Sequence, residues 1–376
     1  MPKILFVLGT RPEAIKLAPV IACFRETRGE TGGFDARVAV TGQHRGLLDQ
    51  ALDAFSIVPD YDLNVMQPGQ SLFQSTSRIV AALEPVFAAE RPEMAIVQGD
   101  TTTTFCGALC AFYQNVAVGH VEAGLRTGDM RQPFPEEMNR VLATRLTTLH
   151  FPPTEMSAAN LRREGVDPSR MIVTGNTGID AVFQTRDALA SGKLVAHGLP
   201  DLDASKKLIL VTAHRRESFG AGFEGICKGL AMLAARGDVE IVYPVHPNPN
   251  VRAVVNAHLS GIGAIRLVEP LAYVPFVDLM RRAHVLLTDS GGIQEEGPSL
   301  GKPVLVMREK TERPEAVEAG TARLVGTDPR KIFAETSLLV DDAGEYARRS
   351  RLDNPYGDGR ASTRIRDFVS AYFATV

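Results

Sequence analysis

The sequence predicts an α/β protein built on parallel sheets. Short apolar runs typical of buried strands alternate with longer segments of helical length along the chain. The chain of 376 residues is long for one hydrophobic core and suits two domains of ordinary size. The same alternation occurs on both sides of one polar stretch. We therefore expect two similar α/β domains that face one another across a central cleft.

Four apolar runs predict the strands of the first domain. They are KILFVLG at 3–9, ARVAVTG at 36–42, MAIVQGD at 94–100 and VAVGHVE at 116–122. The segments 14–25 and 102–113 have the length and composition of helices. This alternation of strand and helix produces parallel pairing, because each crossover helix returns the chain to the same end of the sheet.

A polar stretch at 185–206, with Gly, Pro and Asp, separates the two domains. A second series of buried strands begins directly after it. These strands are predicted in KLILVTAH at 207–214, VEIVYPVH at 239–246, HVLLTDSGG at 284–292 and KPVLVM at 302–307. We therefore place the domains at residues 1–185 and 186–376.

Composition argues against several classes of protein. The 41 Lys and Arg residues nearly balance 44 Asp and Glu residues, giving a net charge of −3, so no excess of basic residues indicates nucleic acid or an anionic membrane surface. The four cysteines include no C-x-x-C pair, which fits thiols in a reducing compartment. Only five apolar residues, 4–8, follow the start of the chain, too few for a signal peptide or a membrane span. We expect a cytoplasmic protein with a small-molecule partner.

Ligands of open parallel sheets bind at the carboxyl ends of the strands, so the residues just after each apolar run are the candidates. GTRPEAIK follows the first strand, and there Arg11 and Lys16 are placed to meet an anion near a helix start. An ordinary helix entry with solvated charges explains this stretch equally well.

LLTDSGGIQEEGPSLG at 286–301 is a sharper signal. Ser290, Gly291 and Gly292 follow a buried strand and begin a helix, so their backbone N–H groups are suited to a phosphate. Glu296, one turn further, offers two acceptor oxygens to the hydroxyls of a ribose. A plain glycine-containing helix start is the alternative.

Two histidines lie just past strands, His214 in VTAHRRES and His246 in YPVHPNPN. Both are candidates for phosphate contact or for proton transfer near neutral pH. Each taken alone is also consistent with a local loop contact.

Three carboxylates of the first domain follow strands or begin a helix: Asp100, Glu122 and Glu136. On one wall of a cleft their mutual repulsion or burial would raise a pKa and create an acid/base pair. The alternative is a set of surface helix caps, which we expect for the neighbouring Glu137.

Other chemistries lack their motifs. The sequence contains no G-x-x-x-x-G-K-[ST] loop, no H-E-x-x-H, and no G-x-G-x-x-G or G-x-S-x-G directly after a strand. These absences argue against a kinase-like NTPase, a conventional NAD enzyme, a metal site and a serine hydrolase. We therefore expect a nucleotide that serves as reactant, with no redox cofactor and no metal.

Together these motifs resemble the non-hydrolysing UDP-N-acetylglucosamine 2-epimerases, from Lys3 to NPYGDG at 354–359. The resemblance lies in the order and spacing of GTRPEAIKLAPV, TGQH, QGDTTTT, GHVEAGLRTGD, PEEMNR, TGNTGID, HRRES, DSGGIQEE and GKPVLVMREKTERPEAVEAGT.

The resemblance implies a fold similar to the GT-B glycosyltransferases, with two Rossmann-like domains and a last helix, about 361–376, that crosses back to the first. It implies interconversion of UDP-N-acetylglucosamine and UDP-N-acetylmannosamine by elimination of UDP to 2-acetamidoglucal and re-addition. A homodimer that serves cell-surface polysaccharide biosynthesis, without nucleic-acid or membrane partners, is also implied. The alternatives are a GT-B glycosyltransferase, a hydrolysing 2-epimerase and a non-catalytic nucleotide-sugar sensor.

The resemblance also assigns site residues. The 186–376 domain would hold UDP and the 1–185 domain would supply the acids around the sugar. UDP would contact Arg11, Ser290, Gly291, Gly292, Glu296 and Arg313, with Leu271 and Phe276 near the uracil and His214 at the diphosphate. The sugar would contact Lys16, Asp100, Glu122, Glu136 and Arg140. Some relatives bind a second, regulatory substrate molecule, and Gln43, Gln70 and His246 are the candidates for that site.

Overall fold

The computed structural model describes residues 1–30, 32–42, 45–67 and 69–375. The chain forms two compact units. Unit 1 comprises Met1–Ala181 and the chain from Tyr356 onward, and unit 2 comprises Val182–Pro355. Each unit contains one six-stranded sheet with parallel pairing between neighbouring strands. The predicted α/β class with parallel sheets and two Rossmann-like domains is confirmed.

In the sheet of unit 1, the strand order reverses between the two central strands. Its strands are β1 (Lys3–Leu8), β2 (Asp35–Val40), β3 (Tyr61–Asp62), β4 (Met94–Gln98), β5 (Ala117–Val121) and β6 (Leu149–Phe151). The spatial order is β3-β2-β1-β4-β5-β6. Because the chain turns to opposite sides after β1 and after β4, the loops that follow these two strands border the crevice where such sheets bind ligands.

Helices cover both faces of this sheet, which explains why its central strands are continuous apolar runs. They are α1 (Arg11–Glu26), α2 (Arg45–Ala54), α3 (Leu72–Glu90), α4 (Thr102–Tyr113), α5 (Glu136–Leu146), α6 (Glu155–Arg163) and α7 (Thr177–Ala190), with a short 3-10 helix at Pro168–Arg170. The chain passes from unit 1 to unit 2 within α7.

The sheet of unit 2 follows the same plan. Its strands are β7 (Lys207–Thr212), β8 (Val239–Pro244), β9 (Ile265–Val268), β10 (Val285–Thr288), β11 (Val304–Val306) and β12 (Ala322–Leu324). Their order is β12-β11-β10-β7-β8-β9, so the reversal lies between β7 and β10. The loops after these two strands carry the predicted HRRES and DSGG motifs.

The helices of unit 2 and the last helix complete the fold. They are α8 (Ala221–Ala234), α9 (Pro249–Leu259), α10 (Tyr273–Arg282), α11 (Gly291–Glu296), α12 (Pro314–Glu318), α13 (Pro329–Asp341), α14 (Ala343–Ser350) and α15 (Ala361–Thr375), with 3-10 helices at Arg216–Ser218 and Gly297–Leu300.

The predicted strands correspond to the inner strands of both sheets. The four strands that the sequence did not reveal, β3, β6, β9 and β12, are the four sheet edges. They have two to four residues each. Natural edge strands are often short, which limits pairing with other chains, and such short segments show no alternation to recognise.

The last helix, α15, packs within unit 1. The Phe373 ring lies 6.2 Å from Phe34, and the Phe368 ring lies 6.2 Å from Phe151. The buried carboxylate of Asp180 accepts the backbone N–H groups at the start of this helix, at 3.2 and 2.8 Å. Among the described residues, none of the helices has both the length and the apolar character required to cross a membrane.

Candidate active site

The loop after β1 is built around Gly9. A Cβ at this position would lie 2.3 Å from Thr41 Oγ1 and 2.4 Å from Thr103 Oγ1, so only glycine lets the end of β1 approach the residue after β2 and the first turn of α4 this closely. Thr10 then caps α1 and forms a capping box with Glu13, whose carboxylate accepts the Thr10 N–H at 2.7 Å. The first turn of α1 therefore begins at the carboxyl edge of the sheet.

Lys16, in the second turn of α1, contacts the end of β5. Its Nζ atom donates to both carboxylate oxygens of Glu122, at 2.6 and 2.7 Å. The Gln98 amide, at the end of β4, also donates to Glu122. Glu122 itself has a positive φ of 64°. Charge-assisted hydrogen bonds from an ammonium group are strong, so Lys16 holds the Glu122 carboxylate firmly. Side chains from α1 and β4 therefore converge on the acid that follows β5.

Asp100 follows β4 and lies near the same charges. Partial loss of contact with water, with 30% of the side chain still exposed, raises the pKa of Asp100 to about 6, against the opposing effect of Arg140, whose Nη2 lies 3.3 Å from Asp100 Oδ2. The charges of Glu122 and Glu136 raise this pKa further, and Lys16 lowers it. Unit 1 therefore brings together the five residues predicted around the sugar, and one of their carboxyls titrates close to neutrality.

Replacing Arg140 with methionine is expected to raise the pKa of Asp100 above the wild-type value of about 6. The guanidinium favours the ionised carboxylate, so its removal favours the protonated form, by roughly one pH unit. Carbon-13 NMR titration of labelled aspartate measures this shift directly. Arg145→Met, an exposed position on the same helix α5, is the control and leaves the titration unchanged. An unmoved Asp100 titration in Arg140→Met would refute the assigned electrostatics.

Glu137 is not the surface helix cap that we expected. Only 1% of its surface is exposed. Its carboxylate accepts the backbone N–H groups of Thr127 at 3.1 Å and Gly128 at 3.0 Å, and it lies 3.3 Å from Arg140 Nε. Glu137 therefore anchors the loop between β5 and α5 to the arginine that faces Asp100.

The switch point of unit 2 contains His214 and a fully buried carboxylate, Asp289. Asp289 Oδ2 accepts the N–H groups of His214 at 2.6 Å and Arg215 at 2.7 Å, while its other oxygen lies 3.2 Å from His214 Nδ1. The His214 ring stacks on His246 with centroids 5.4 Å apart. Burial lowers the pKa of His214, Asp289 opposes this effect, and His246 and Arg215 lower the pKa further.

Four of the residues predicted to hold UDP follow β10, and a fifth, Arg313, lies beside them. A Cβ on Gly291 would lie 3.7 Å from the Arg313 guanidinium, and one on Gly292 would lie 3.8 Å from Glu296 Oε1. Arg313 is held by an ion pair with Glu295. The start of α11 therefore brings glycine backbone N–H groups close to a guanidinium, an arrangement suited to an anion.

Leu271 and Phe276 lie half-buried at the start of α10, after the edge strand β9. Between them, Tyr273 is buried with 9% of its surface exposed, and this burial, together with the charge of Glu296, raises the pKa of its hydroxyl. That electrostatic effect places the first turn of α10 near Glu296. The predicted uracil contacts remain a prediction.

The regulatory candidates lie in different parts of the chain. Gln43 is outside the described residues. Gln70 lies in unit 1, where its amide oxygen accepts Arg78 at 2.8 Å. His246 lies in unit 2 and accepts the backbone N–H of Asn248 at 3.1 Å. The regulatory site therefore stays a prediction.

Sequence reasoning missed several residues that organise the site: Glu13, His120, Asn139 and Asp289. Glu13 was detectable through the T-x-x-E capping pattern, and Asp289 through its position directly before SGG. Of the other predicted residues, Arg11 begins α1 and Ser290 directly precedes α11 without a side-chain capping hydrogen bond. Within the described residues, no group of three or more His, Cys, Asp or Glu side chains is arranged to hold a metal ion.

Comparison with known proteins adds independent evidence. The family model for UDP-N-acetylglucosamine 2-epimerase matches residues 26–370. A Salmonella typhimurium protein named UDP-N-acetylglucosamine 2-epimerase is 56% identical over 375 residues, which cover 98% of this chain and 99% of the relative. A protein of the same name from Escherichia coli K12 is 56% identical over 368 residues, covering 96% of this chain and 97% of its own.

Solved structures give the same result. A putative UDP-N-acetylglucosamine 2-epimerase from Listeria monocytogenes has a TM-score of 0.90 at 41% identity, covering 100% of this chain and 97% of its own. The Neisseria meningitidis UDP-GlcNAc 2-epimerase bound to UDP-GlcNAc has a TM-score of 0.87 at 46% identity, covering 98% of this chain and 99% of its own.

Proposed function

Because the chain belongs to the UDP-N-acetylglucosamine 2-epimerase family, we propose that it interconverts UDP-N-acetylglucosamine and UDP-N-acetylmannosamine. One observation carries the proposal. In unit 1, Asp100, with a pKa of about 6, lies near Glu122, whose two oxygens are both bound by Lys16. Two carboxyl groups in different environments are suited to divide the roles of acid and base.

The chemistry explains why the reaction requires a leaving group. The C2 proton of the sugar is not adjacent to a carbonyl, so its direct removal would require an implausibly strong base. Loss of UDP from C1 creates positive charge there and makes the C2 proton acidic enough for a carboxylate. In this elimination the C1–O bond breaks with its electron pair leaving on UDP, a carboxylate takes the C2 proton, and a C1–C2 double bond forms.

We assign stabilisation of the departing diphosphate to His214, Arg313 and the backbone N–H groups at 291–292. Negative charge grows on the diphosphate oxygen as the C1–O bond breaks, and preorganised donors stabilise that charge without reorganisation. The close approach of Arg313 to Gly291 supports this assignment. The family resemblance adds Arg11, at the start of α1, to the residues proposed to contact UDP.

Return to the opposite configuration needs a proton delivered to the other face of C2. One carboxyl cannot easily serve both faces, so the proposal divides them between Asp100 and either Glu122 or Glu136, with Lys16 and Arg140 as orienting cations. UDP then adds back to C1 of 2-acetamidoglucal, and the overall reaction consumes neither water nor a redox equivalent. Exclusion of water protects the glucal and UDP pair from separation.

Further features of the proposal come from the resemblance to this family. They are a homodimeric assembly, a cytoplasmic location, a regulatory substrate molecule and a role in cell-surface polysaccharide biosynthesis. A hydrolysing 2-epimerase is the nearest alternative, since it would act on the same substrate but release UDP and free N-acetylmannosamine.

The test follows purified protein with UDP-N-acetylglucosamine by proton and phosphorus NMR. The proposal predicts that UDP-N-acetylmannosamine accumulates to a constant ratio and that the same ratio is reached from the manno side. Free UDP stays at trace level throughout. Release of UDP and free N-acetylmannosamine in equal amounts would establish the hydrolysing reaction. Unchanged substrate would indicate a protein that binds the nucleotide sugar without converting it.

A further inference from the structure

The turn between β4 and α4, which carries Asp100, is fixed by side chains from three directions. Its three consecutive carbonyls, at residues 98–100, each accept a hydrogen bond. In chain order the donors are the Thr104 hydroxyl at 2.6 Å, the His120 ring at 2.7 Å and the Asn139 amide at 2.9 Å. These three hydrogen bonds therefore fix the backbone at Asp100 and, with it, the direction in which the Asp100 side chain projects.

Glu13 joins this turn to the loop after β1. Its Oε2 atom accepts the backbone N–H groups of Gly9 at 3.1 Å and Thr10 at 2.7 Å, and its Oε1 atom accepts the Thr101 hydroxyl at 2.8 Å. Thr104 Oγ1 also lies 3.3 Å from Oε1, but its single proton is used in the shorter contact to the carbonyl of residue 98.

The Thr101 hydroxyl has both of its roles defined by this arrangement. It donates its proton to Glu13 and accepts the backbone N–H of Thr104 at 3.1 Å, which caps α4. Asp100 is the residue directly before this cap. A change in the hydrogen-bond acceptor at Glu13 would therefore shift Thr101 and, through it, the adjacent Asp100.

A capping box alone does not account for Glu13. The pairing with Thr10 needs a carboxylate or amide at the helix start, where such side chains are usually solvated, yet only 1% of Glu13 is exposed. Burial raises the pKa of this carboxyl, and the donors around it oppose that effect. Burial of a carboxylate costs free energy that its hydrogen bonds must offset, and Glu13 takes no part in the proposed reaction.

We propose that Glu13 is a positioning residue for Asp100, acting through Thr101 to hold the β4–α4 turn against the β1–α1 loop. This inference rests on the proposed function, because Asp100 is placed in the proton-transfer step. Glu13 does not contact the reacting atoms. Its role is to keep the carboxyl of Asp100 in register with Lys16 and Glu122, which lie on the neighbouring elements.

The first test is Glu13→Gln. The amide keeps the volume but replaces one acceptor oxygen with a donor, so either Thr101 or the loop after β1 loses its partner. We expect kcat for C2 epimerisation to fall about tenfold to a hundredfold, the effect of a displacement of about an ångström in a catalytic group. The Kd for UDP alone, measured by calorimetry, is expected to rise by a smaller factor than kcat falls, because Arg11 is the one proposed UDP contact in unit 1 and the others lie in unit 2.

Glu240→Gln is the matched control. Glu240 is equally buried, accepts the backbone N–H of Asp203 at 2.8 Å and pairs with Arg266 at 3.0 Å. It lies near the amino end of β8 in unit 2, whereas the proposed UDP contacts at residues 214 and 290–292 follow the carboxyl ends of strands in that sheet. Its variant tests the general cost of neutralising a buried carboxylate and is expected to retain wild-type kcat.

Thr101 supplies a second, independent test. Thr101→Ser keeps the hydroxyl and is expected to retain wild-type kcat, whereas Thr101→Val removes it and lowers kcat as Glu13→Gln does. The double variant of Glu13→Gln with Thr101→Val is expected to lose no more than the worse single variant, because both changes break one link.

Three results would overturn the inference. The first is wild-type kcat in Glu13→Gln or in Thr101→Val. The second is losses that multiply in the double variant, and the third is a fall in kcat matched by an equal loss of UDP affinity. The wild-type protein in the same assay separates this inference from the proposed function. Turnover by wild type and Glu13→Gln alike refutes the inference only, whereas no turnover by wild type refutes both.

Discussion

Asp100→Asn is expected to lower kcat for C2 epimerisation by a factor on the order of a hundred or more, the usual size of a general acid/base effect. The amide keeps the shape of the side chain but cannot accept or return a proton. With a pKa of about 6, Asp100 exchanges protons near neutral pH, where such a group is most effective. Glu136→Gln is expected to have an effect of similar size.

The Tm of Asp100→Asn shows whether a fall in kcat comes from loss of a proton-transfer group or from loss of the folded structure. The pKa of Asp100 is raised from its usual 3.8 to about 6 in the folded protein, so the fold favours the protonated carboxyl. The stability that this preference provides is complete below about pH 4 and is lost as the pH rises through 6. At pH 7.5 the neutral asparagine therefore has no charge to desolvate, and we expect a Tm equal to or above that of wild type.

Asp53→Asn is the control for this pair, because Asp53 is an exposed aspartate on α2 of the same unit. It is expected to leave both kcat and Tm unchanged. Near-wild-type turnover in both Asp100→Asn and Glu136→Gln would show that these acids do not transfer the protons.

His214→Ala is expected to lower kcat/KM by about a hundredfold to a thousandfold, the range found when one preorganised donor to a developing charge is removed. Asp289 fixes both the backbone and the ring of His214, so the ring is held in place before the substrate arrives. The charge on the diphosphate grows as the C1–O bond breaks. We therefore expect kcat to fall by a larger factor than the Kd for UDP rises.

Steady-state kinetics and UDP calorimetry on the same preparation measure the two effects of His214→Ala. His197→Ala, an exposed histidine of unit 2, is the control and is expected to retain both parameters. Equal losses in kcat/KM and in UDP affinity, with unchanged kcat, would mean that His214 binds the ground state without favouring departure of UDP.

The sequence predicted the inner strands because burial on both faces makes them continuous apolar runs. It did not predict the edge strand Tyr61–Asp62, because two residues are too few to show a period. Asp60 accepts Arg37 at 3.0 Å and the backbone N–H of Val38 at 2.9 Å, and so holds the edge of the sheet.

The candidate site was predictable where its residues directly follow strands, as Asp100, Glu122 and His214 do. The residues that fix their geometry were not, because their partners depend on strand order in space. Glu13 meets Thr101 only because β1 and β4, about ninety positions apart in sequence, are neighbours in the sheet. Asp289 likewise meets His214 only because β7 pairs with β10.

The central claim is that the C1–O bond to UDP breaks and re-forms in each turnover. The direct measurement incubates UDP-N-acetylglucosamine, with oxygen-18 in the bridge between C1 and the β-phosphate, in D2O with the wild-type protein. The account predicts deuterium at C2 together with migration of the label into the non-bridging oxygens of the β-phosphate. Deuterium at C2 with the label still entirely in the bridge would contradict it.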